Sequence, residues 1–375
     1  MDVRGDVTVN TICLNWMPFD SLATGASVRA VELHRRLPRD MDVTAVTSGR
    51  FPRELRDTVP GIRFLDAVST RRGINRFREA SGGWWKRILE GHGCGLWVTD
   101  TLPVADLPGV RTCLTVHDLR HRASPCYVRW SRFLLLSLYM PSSLRRADTV
   151  VAVSEWGAGE LRRLYGLDPG RIEVVPNGVD PAIGESEDAG LPSVEPPYLL
   201  SVGHLEPRKN QELLVRAFAG LSRRWPGRLV LAGRDLGSGR GLRKLASGLG
   251  LGGRVVFTGR IGRRELLSLY RGCEAVVCPS AYEGFGITLL EAMAMGKPVV
   301  ATAIPPHREV AGDAALLVSG DDEAEEGMTE AITRVLEDDG LVRELVGSGR
   351  ERVSLYSWDD SASRLESLYR RLLGG

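Results

Sequence analysis

Short β-branched runs alternate with amphipathic stretches through the first half of the chain. The pattern predicts strands over residues 7–15, 42–47, 63–67, 96–99, 112–116, 149–154 and 173–175, with helices near 26–37, 76–90, 127–146 and 155–165. Alternation of this kind is the pattern of right-handed βαβ units stacked into a parallel, doubly wound sheet. Periodicity fades in the turn-rich run Pro176-Asn177-Gly178-Val179-Asp180-Pro181 and in the acidic, Gly- and Pro-containing stretch 183–197, which reads as a linker. The pattern then restarts, with strands over 198–202, 229–231, 255–258, 275–278, 298–301 and 316–318 and helices over 211–221, 242–248, 264–270 and 287–295. Helices over 322–337, 340–354 and 358–373 close the chain. The expected organisation is a Rossmann-like domain of residues 1–182, a linker of 183–197, a second Rossmann-like domain of 198–355, and a closing helix in 356–375 that packs back on the first domain.

Length agrees with two α/β cores, since 375 residues at 43% hydrophobic content exceed one ordinary core. The 49 basic and 47 acidic residues leave a formal charge of +2, so no polyelectrolyte partner is needed and nucleic acid is not expected. Cys13, Cys94, Cys113, Cys126, Cys273 and Cys278 lie far apart, without a C-x-x-C pair or zinc spacing, which reads as reduced thiols in a cytoplasm. The apolar stretch from Val7 to Leu14 is too short for a secretory signal, and Phe133 to Met140 falls far short of the ~20 residues that span a bilayer. A soluble, cytoplasmic chain is the expectation.

Doubly wound sheets bind ligands beyond the carboxyl ends of their strands, and two such sheets face each other across a cleft. Several unusual segments fall at strand ends. In Glu283-Gly284-Phe285-Gly286-Ile287-Thr288-Leu289-Leu290-Glu291 a strand runs into a helix, and the amides of Phe285, Gly286 and Ile287 are expected to meet a phosphate at the helix N-terminus. A carboxylate at each end of that cradle suits hydroxyl groups, a ribose on one side and a hexose on the other. The plainer reading is a tight strand-to-helix turn with capping glutamates. In Ser201-Val202-Gly203-His204-Leu205-Glu206-Pro207-Arg208-Lys209-Asn210 two cations stand before a helix, where an anionic guest such as a diphosphate explains them; surface charge is the alternative. His117-Asp118 ends another strand. His117 is a candidate donor to a sugar hydroxyl with Asp118 orienting it, or a strand-end histidine satisfied by backbone.

Together these elements resemble family 4 of the retaining glycosyltransferases, over nearly the whole chain and in the same order. The resemblance implies a GT-B fold, an α/β architecture of two Rossmann-like domains facing an interdomain cleft, and transfer of a hexose from a nucleotide-sugar donor. Two glutamates with seven residues between them bracket the family's donor site, matching Glu283 and Glu291. By that likeness Glu291 holds the ribose, Glu283 the donor sugar, and Phe285, Gly286 and Ile287 contact sugar or phosphate. Arg208 and Lys209, after Gly203, match the basic diphosphate clamp; His117 matches the histidine on the donor hexose; Val175 to Gly178 match the segment entering the linker. The catalytic group is thus His117, Glu283, Arg208 and Lys209, with no metal and no cofactor beyond the donor.

Two features depart from the family pattern. His204 stands where many members carry an arginine, leaving the clamp to Arg208 and Lys209. The early loop keeps one glycine, Gly25, where a pair is frequent; it is the candidate for acceptor or phosphate contact. Retention here implies attack assisted by the leaving diphosphate, with the protein positioning groups and stabilising charge. The Pro207-Arg208-Lys209-Asn210 run resembles mannosyltransferase-like members, which favours GDP-mannose. The acceptor is expected to be a saccharide, lipid-linked or natural-product molecule. A basic, aromatic stretch, 71–78 with Trp84-Trp85-Lys86-Arg87, reads as a solvated helix with inward aromatics, the alternative being weak peripheral membrane contact. Other functions consistent with the residues are a non-catalytic nucleotide-sugar sensor and a GT-B epimerase or phosphorylase.

Overall fold

Strands form where the β-branched runs were expected, because a parallel sheet covered on both faces needs continuous apolar segments. In the computed structural model, residues 10–19, 25–48, 51–67, 82–185, 194–320 and 322–374 are described. The chain divides into two units, Met1–Asn177 with Trp358–Gly375, and Gly178–Ser357.

Among the described residues, the first unit holds β1 (Thr11–Trp16), β2 (Val43–Ser48), β3 (Ile62–Ala67), β4 (Cys94–Thr99), β5 (Arg111–Val116), β6 (Thr149–Ala152) and β7 (Ile172–Val174). They form one parallel sheet in the order β3-β2-β1-β4-β5-β6-β7. Every residue of β1, β2 and β4 is buried. One core cluster gathers Cys13, Val46, Trp85 and Trp97, and another Leu114, Leu144, Val150 and Leu161. The helix Glu155–Tyr165 is set by local chemistry: Ser154 Oγ accepts from Gly157 N at 2.9 Å, and Gly166, at φ +61, ends it.

The helix Trp358–Leu373 belongs to this unit although it is last in sequence. Its buried Tyr369 lies 3.0 Å from His34 Nε2, and Arg371 pairs with Glu173 at 2.6 Å. Arg29, buried in the helix Gly25–His34, binds the Val175 carbonyl at 2.7 Å, the Pro176 carbonyl at 2.8 Å and Asn177 Oδ1 at 3.0 Å. One guanidinium thereby satisfies the backbone of the segment leaving the unit.

Among the described residues, the second unit holds β8 (Tyr198–Val202), β9 (Arg228–Ala232), β10 (Val255–Gly259), β11 (Ala275–Cys278), β12 (Val299–Thr302) and β13 (Leu316–Val318). These are parallel in the order β10-β9-β8-β11-β12-β13. Leu199, Phe218, Leu231, Val277, Met328 and Ile332 lie in its core. The unit's two ends are joined side by side, Val179 N donating to the Tyr356 carbonyl at 2.9 Å. A short helix, Pro305–Ala311, is additional to the elements expected from the pattern. Its Pro305-Pro306 start reads as a break, yet proline suits the first helical position, where the missing N–H would have no partner.

Candidate active site

In each sheet the strand order reverses once, between β1 and β4 in the first unit and between β8 and β11 in the second. The crevice beyond the strand ends at such a reversal is where this fold binds ligands. The segments after β8 and β11 are Gly203–Lys209 and Ser280–Glu291, so the switch point of the second sheet gathers nearly all its candidate residues.

Gly203 follows β8 at φ +147, and a Cβ there would stand 3.0 Å from Lys209 Cε and 3.2 Å from Nζ. Glycine is needed for both reasons: its backbone conformation, and the Lys209 side chain lying across it. Arg208 and Lys209 sit on a 3-10 turn, Pro207–Lys209, and both turn onto Glu283. Arg208 Nη1 reaches Glu283 Oε2 at 2.5 Å, Lys209 Nζ reaches Oε1 at 2.6 Å, and Ser280 Oγ donates to Oε1 at 2.8 Å. Arg208 Nη2 also meets Glu206 Oε1 at 2.7 Å, and Ala281 N donates to the Arg208 carbonyl at 2.8 Å. Burial pushes the Glu283 carboxyl up, but Lys209 and Arg208 outweigh it and hold the group well below the usual carboxylate range. Two cations and two carboxylates here cancel, so the cluster is neutral without a ligand.

Gly286 caps the helix Ile287–Ala294 at φ +113. A Cβ at Gly286 would lie 3.2 Å from His307 Cδ2, so a side chain there would be strained by conformation and crowded by the His307 ring. Phe285 turns its ring inward, edge-on to Tyr356 at 5.7 Å between centroids. That leaves backbone as what the 285–287 segment can offer a ligand, and the first amides of a helix have no intrahelical acceptor. Glu291 lies one turn further on, half-buried, where Tyr270 Oη donates to its Oε2 at 3.0 Å. Burial raises the Glu291 carboxyl above its ordinary value, against the Tyr270 hydrogen bond and the charge of Arg263. The two glutamates are thus opposite in character, one pinned between cations and one held by a phenol.

His307 is buried beneath this loop, its Nδ1 donating to the Thr302 carbonyl at 2.9 Å. His204, in the clamp segment, is half-buried; burial lowers its pKa, and its carbonyl accepts from Gln211 Nε2 at 2.9 Å.

The first unit carries a smaller cluster at its own strand ends. His117 follows β5, and its Nε2 lies 3.2 Å from Asp100 Oδ2, just beyond β4. Burial pushes the Asp100 carboxyl up, but the His117 bond and charge, with Arg29, hold it below its ordinary value. Asp118, expected to orient His117, instead accepts from Arg120 N at 3.2 Å and faces Arg120 Nε at 3.6 Å. The cause is the pairing of β4 with β5, which sets the residue after β4, Asp100, beside the residue after β5, His117. Gly25 opens the helix Gly25–His34, and a Cβ there would meet nothing within 4 Å; the preceding Ala23-Thr24 lie outside the described residues. Asp40-Met41-Asp42 has the spacing of a metal motif, but Asp40 pairs with Arg370 at 2.9 Å and Asp42 with Arg63 at 2.7 Å.

Asp100, Tyr270, Ser280, Glu206 and His307 are site residues that pattern reading missed. Two of these had a signal: Glu206 stands inside the clamp run, and Asp100 follows the strand expected over 96–99 just as His117 follows the next.

Residues 23–183 match the model of Glycosyltransferase Family 4, and residues 184–352 that of Glycosyl transferases group 1. A D-inositol 3-phosphate glycosyltransferase of Acidothermus cellulolyticus is 36% identical over 245 residues, 60% of this chain and 54% of that protein. One of Mycobacterium bovis is 33% identical over 244 residues, 61% of this chain and 49% of that protein. The matched stretch is about half the length of these relatives. Among solved structures, sucrose-phosphate synthase from Thermosynechococcus elongatus superposes with TM-score 0.76 at 26% identity, covering 97% of this chain and 99% of that one. Anabaena HepE in complex with UDP and glucose shares the fold, with TM-score 0.73 at 18% identity over 96% of this chain and 98% of that one. With two matched models dividing the chain between them, and with two doubly wound sheets superposing on GT-B enzymes along nearly their whole length, this chain belongs to the family 4 glycosyltransferases of the GT-B fold.

Proposed function

We propose that the protein transfers a hexose, with retention of anomeric configuration, from a nucleotide-sugar donor to a saccharide, lipid-linked or natural-product acceptor. The observation that carries this reading is the Glu283 carboxylate held between Arg208 and Lys209 at a sheet switch point, with Glu291 one turn along the adjoining helix. In this reading Glu291 takes the ribose hydroxyls and Glu283 the hexose hydroxyls. The amides of Phe285, Gly286 and Ile287, with Arg208 and Lys209, take the diphosphate. His117, backed by Asp100, serves the transferred hexose.

The bond from the anomeric carbon to the phosphate oxygen breaks, the acceptor oxygen bonds to the same face, and the acceptor proton passes to the leaving phosphate oxygen. Charge grows on the diphosphate as this happens, and two preorganised cations stabilise it without reorganisation. Glu283 orients the donor and neutralises the clamp before the donor arrives. GDP-mannose is the favoured donor, on the Pro207-Arg208-Lys209-Asn210 run. The relatives' names favour trying phosphorylated cyclitols among acceptors.

The test is thermal stabilisation by GDP-, UDP-, dTDP- and ADP-sugars, repeated on Glu291→Ala, because a ligand of the native state raises the melting temperature by mass action. One nucleotide class should stabilise the parent and not the variant; no shift with any donor refutes the donor site. NMR of the product then reads the anomeric configuration, and inversion would refute retention.

A further inference from the structure

The helix Trp130–Arg146 of the first unit carries an apolar stripe with no protein to cover it within the described residues. Trp130, Leu134 and Leu138 are 71%, 49% and 68% exposed, among the few large apolar side chains so open. Steps of four residues keep all three on one face, and Arg145, seven beyond Leu138, falls on that face at the helix end. Phe133 stacks on Trp130 with ring centroids 5.5 Å apart, widening the stripe at its start. A separate set of positions, Met140, Ser143 and Leu144, is spent on the core, so the exposed stripe is not a misread interior.

Charge around the stripe has one sign. Between Asp118 and Asp148 the sequence contains Arg120, Arg122, Arg129, Arg132, Arg145 and Arg146 and no carboxylate. The carboxylates that bound the segment are engaged: Asp118 with Arg120, and Asp148 with Arg111 at 2.8 Å. Arg120 is spent on Asp118, which leaves five arginines of the segment, and Arg171, from outside it, donates to the Leu144 carbonyl at the helix end at 2.7 Å. The tryptophans at 84 and 85 do not offer such a face: Trp85 is buried on Trp97 at 4.4 Å, with Trp84 edge-on against it, and residues 71–78 lie outside the described residues.

A Trp- and Leu-bearing face flanked by arginines, too short and too charged to cross a bilayer, is the composition of a helix that lies in a lipid headgroup layer. Long arginine side chains reach the phosphates while the apolar stripe enters the acyl boundary. We propose that the segment from Arg120 to Arg146 docks this protein on an anionic membrane surface, with Trp130, Leu134 and Leu138 inserted and the arginines on lipid phosphate. The proposal does not depend on the donor site.

The experiment is vesicle co-sedimentation of the full chain and of the Trp130→Ala/Leu134→Ser/Leu138→Ser variant. The vesicles are phosphatidylcholine alone, or phosphatidylcholine with about one third phosphatidylglycerol. The parent should sediment with the anionic vesicles only, and the variant's bound fraction should drop about tenfold or more. Raising salt to ~0.5 M should release the parent by screening the arginines. The substituted side chains are open to solvent, so the variant should keep the parent's melting temperature, and sedimentation velocity without lipid should find both monomeric. Failure of the parent to bind anionic vesicles, or equal binding by the variant, overturns the proposal. A parent dimer that the variant dissolves also overturns it, since the stripe would then be a self-association face.

Discussion

The two units follow one plan, a parallel sheet reversing once with polar residues beyond its strand ends, yet they build those ends in different ways. In the second unit two cations and two carboxylates meet at hydrogen-bond distance, drawn from two loops each short in sequence. In the first, a carboxylate at the end of β4 holds a histidine at the end of β5, and the arginine nearby is committed to backbone carbonyls. The second arrangement is a charged site made neutral and poised to exchange a partner. The first is a scaffolded imidazole whose orientation is fixed from behind, Nε2 donating to Asp100. On the proposed function, charge stabilisation falls to the second sheet and positioning to the first, and that comparison can be broken at several points.

Removing Glu283 should have the largest effect. Glu283→Ala leaves Arg208 and Lys209 partly buried without their shared carboxylate, and stripping one member from such a group costs about 3 kcal/mol or more. The melting temperature should fall, and a nucleoside diphosphate should recover more of it than it adds to the parent, because the anion replaces the missing charge. Turnover should fall well over tenfold, a loss of more than ~1.4 kcal/mol in transition-state stabilisation. Unchanged turnover in the variant would remove Glu283 from the site.

Acid should have the next largest effect. His34 and His121, both buried in the first unit, are held neutral by burial, each lowered to about 4 from 6.5. A group with a depressed folded pKa contributes stability above its unfolded pKa and loses it as pH falls, so these contributions decline from pH 6.5 toward about 4. For His34 the loss is on the order of 3 kcal/mol, at ~1.4 kcal/mol per pH unit. His204 and His307 in the second unit shift in the same direction. Glu283 adds a later loss, beginning only below its ordinary 4.5. Chemical denaturation across pH should therefore give a stability curve that His34→Gln flattens between 6.5 and 4, and that Glu283→Gln flattens only below 4.5. A His34→Gln curve parallel to the parent's would contradict the burial argument.

The third break is Asp100→Asn. Without the carboxylate, the His117 ring loses the partner that fixes its donating nitrogen. Turnover should fall about tenfold, ~1.4 kcal/mol, while nucleotide-induced stabilisation stays unchanged. Combined with His117→Ala, the second substitution should add little, since both act through one ring. Additive losses would mean that Asp100 acts elsewhere.

What was legible in the sequence follows from distance along the chain. Strands β8, β11 and β13 begin and end where periodicity set them, and so do the helices Glu155–Tyr165 and Gln211–Leu221, because each is fixed by its own local pattern, with caps added at Glu155–Tyr165. The Glu283 to Glu291 segment was readable because one loop and one helix carry all of it. Tyr270 was not, lying 21 residues before Glu291 in a helix whose apolar face gives the phenol no distinguishing sign. Arg29 was not, since its acceptors lie 146 to 148 residues away. Asp118 was named for its adjacency to His117, and the pairing of β4 with β5 brings Asp100 to the ring instead.

Tyr270 supplies the smallest test and the one that best separates the two glutamates. Its hydroxyl is the hydrogen-bond partner recorded for Glu291 Oε2, and the ring itself is fully buried. Tyr270→Phe keeps the ring and removes only the donor, so the core should hold while the carboxylate loses one fixed partner, a net of about 1 kcal/mol. Nucleotide affinity should weaken about fivefold, read by titration calorimetry, with the melting temperature of the free protein little changed. The hydroxyl also opposes the upward shift that burial imposes on Glu291, so its removal should move nucleotide binding toward a steeper loss at mildly acid pH, as the glutamate protonates more readily. Glu283, held by cations rather than by a phenol, should show no such change in the same variant. A Tyr270→Phe protein that binds nucleotide as the parent does, at every pH, would mean that Glu291 is positioned by its helix alone.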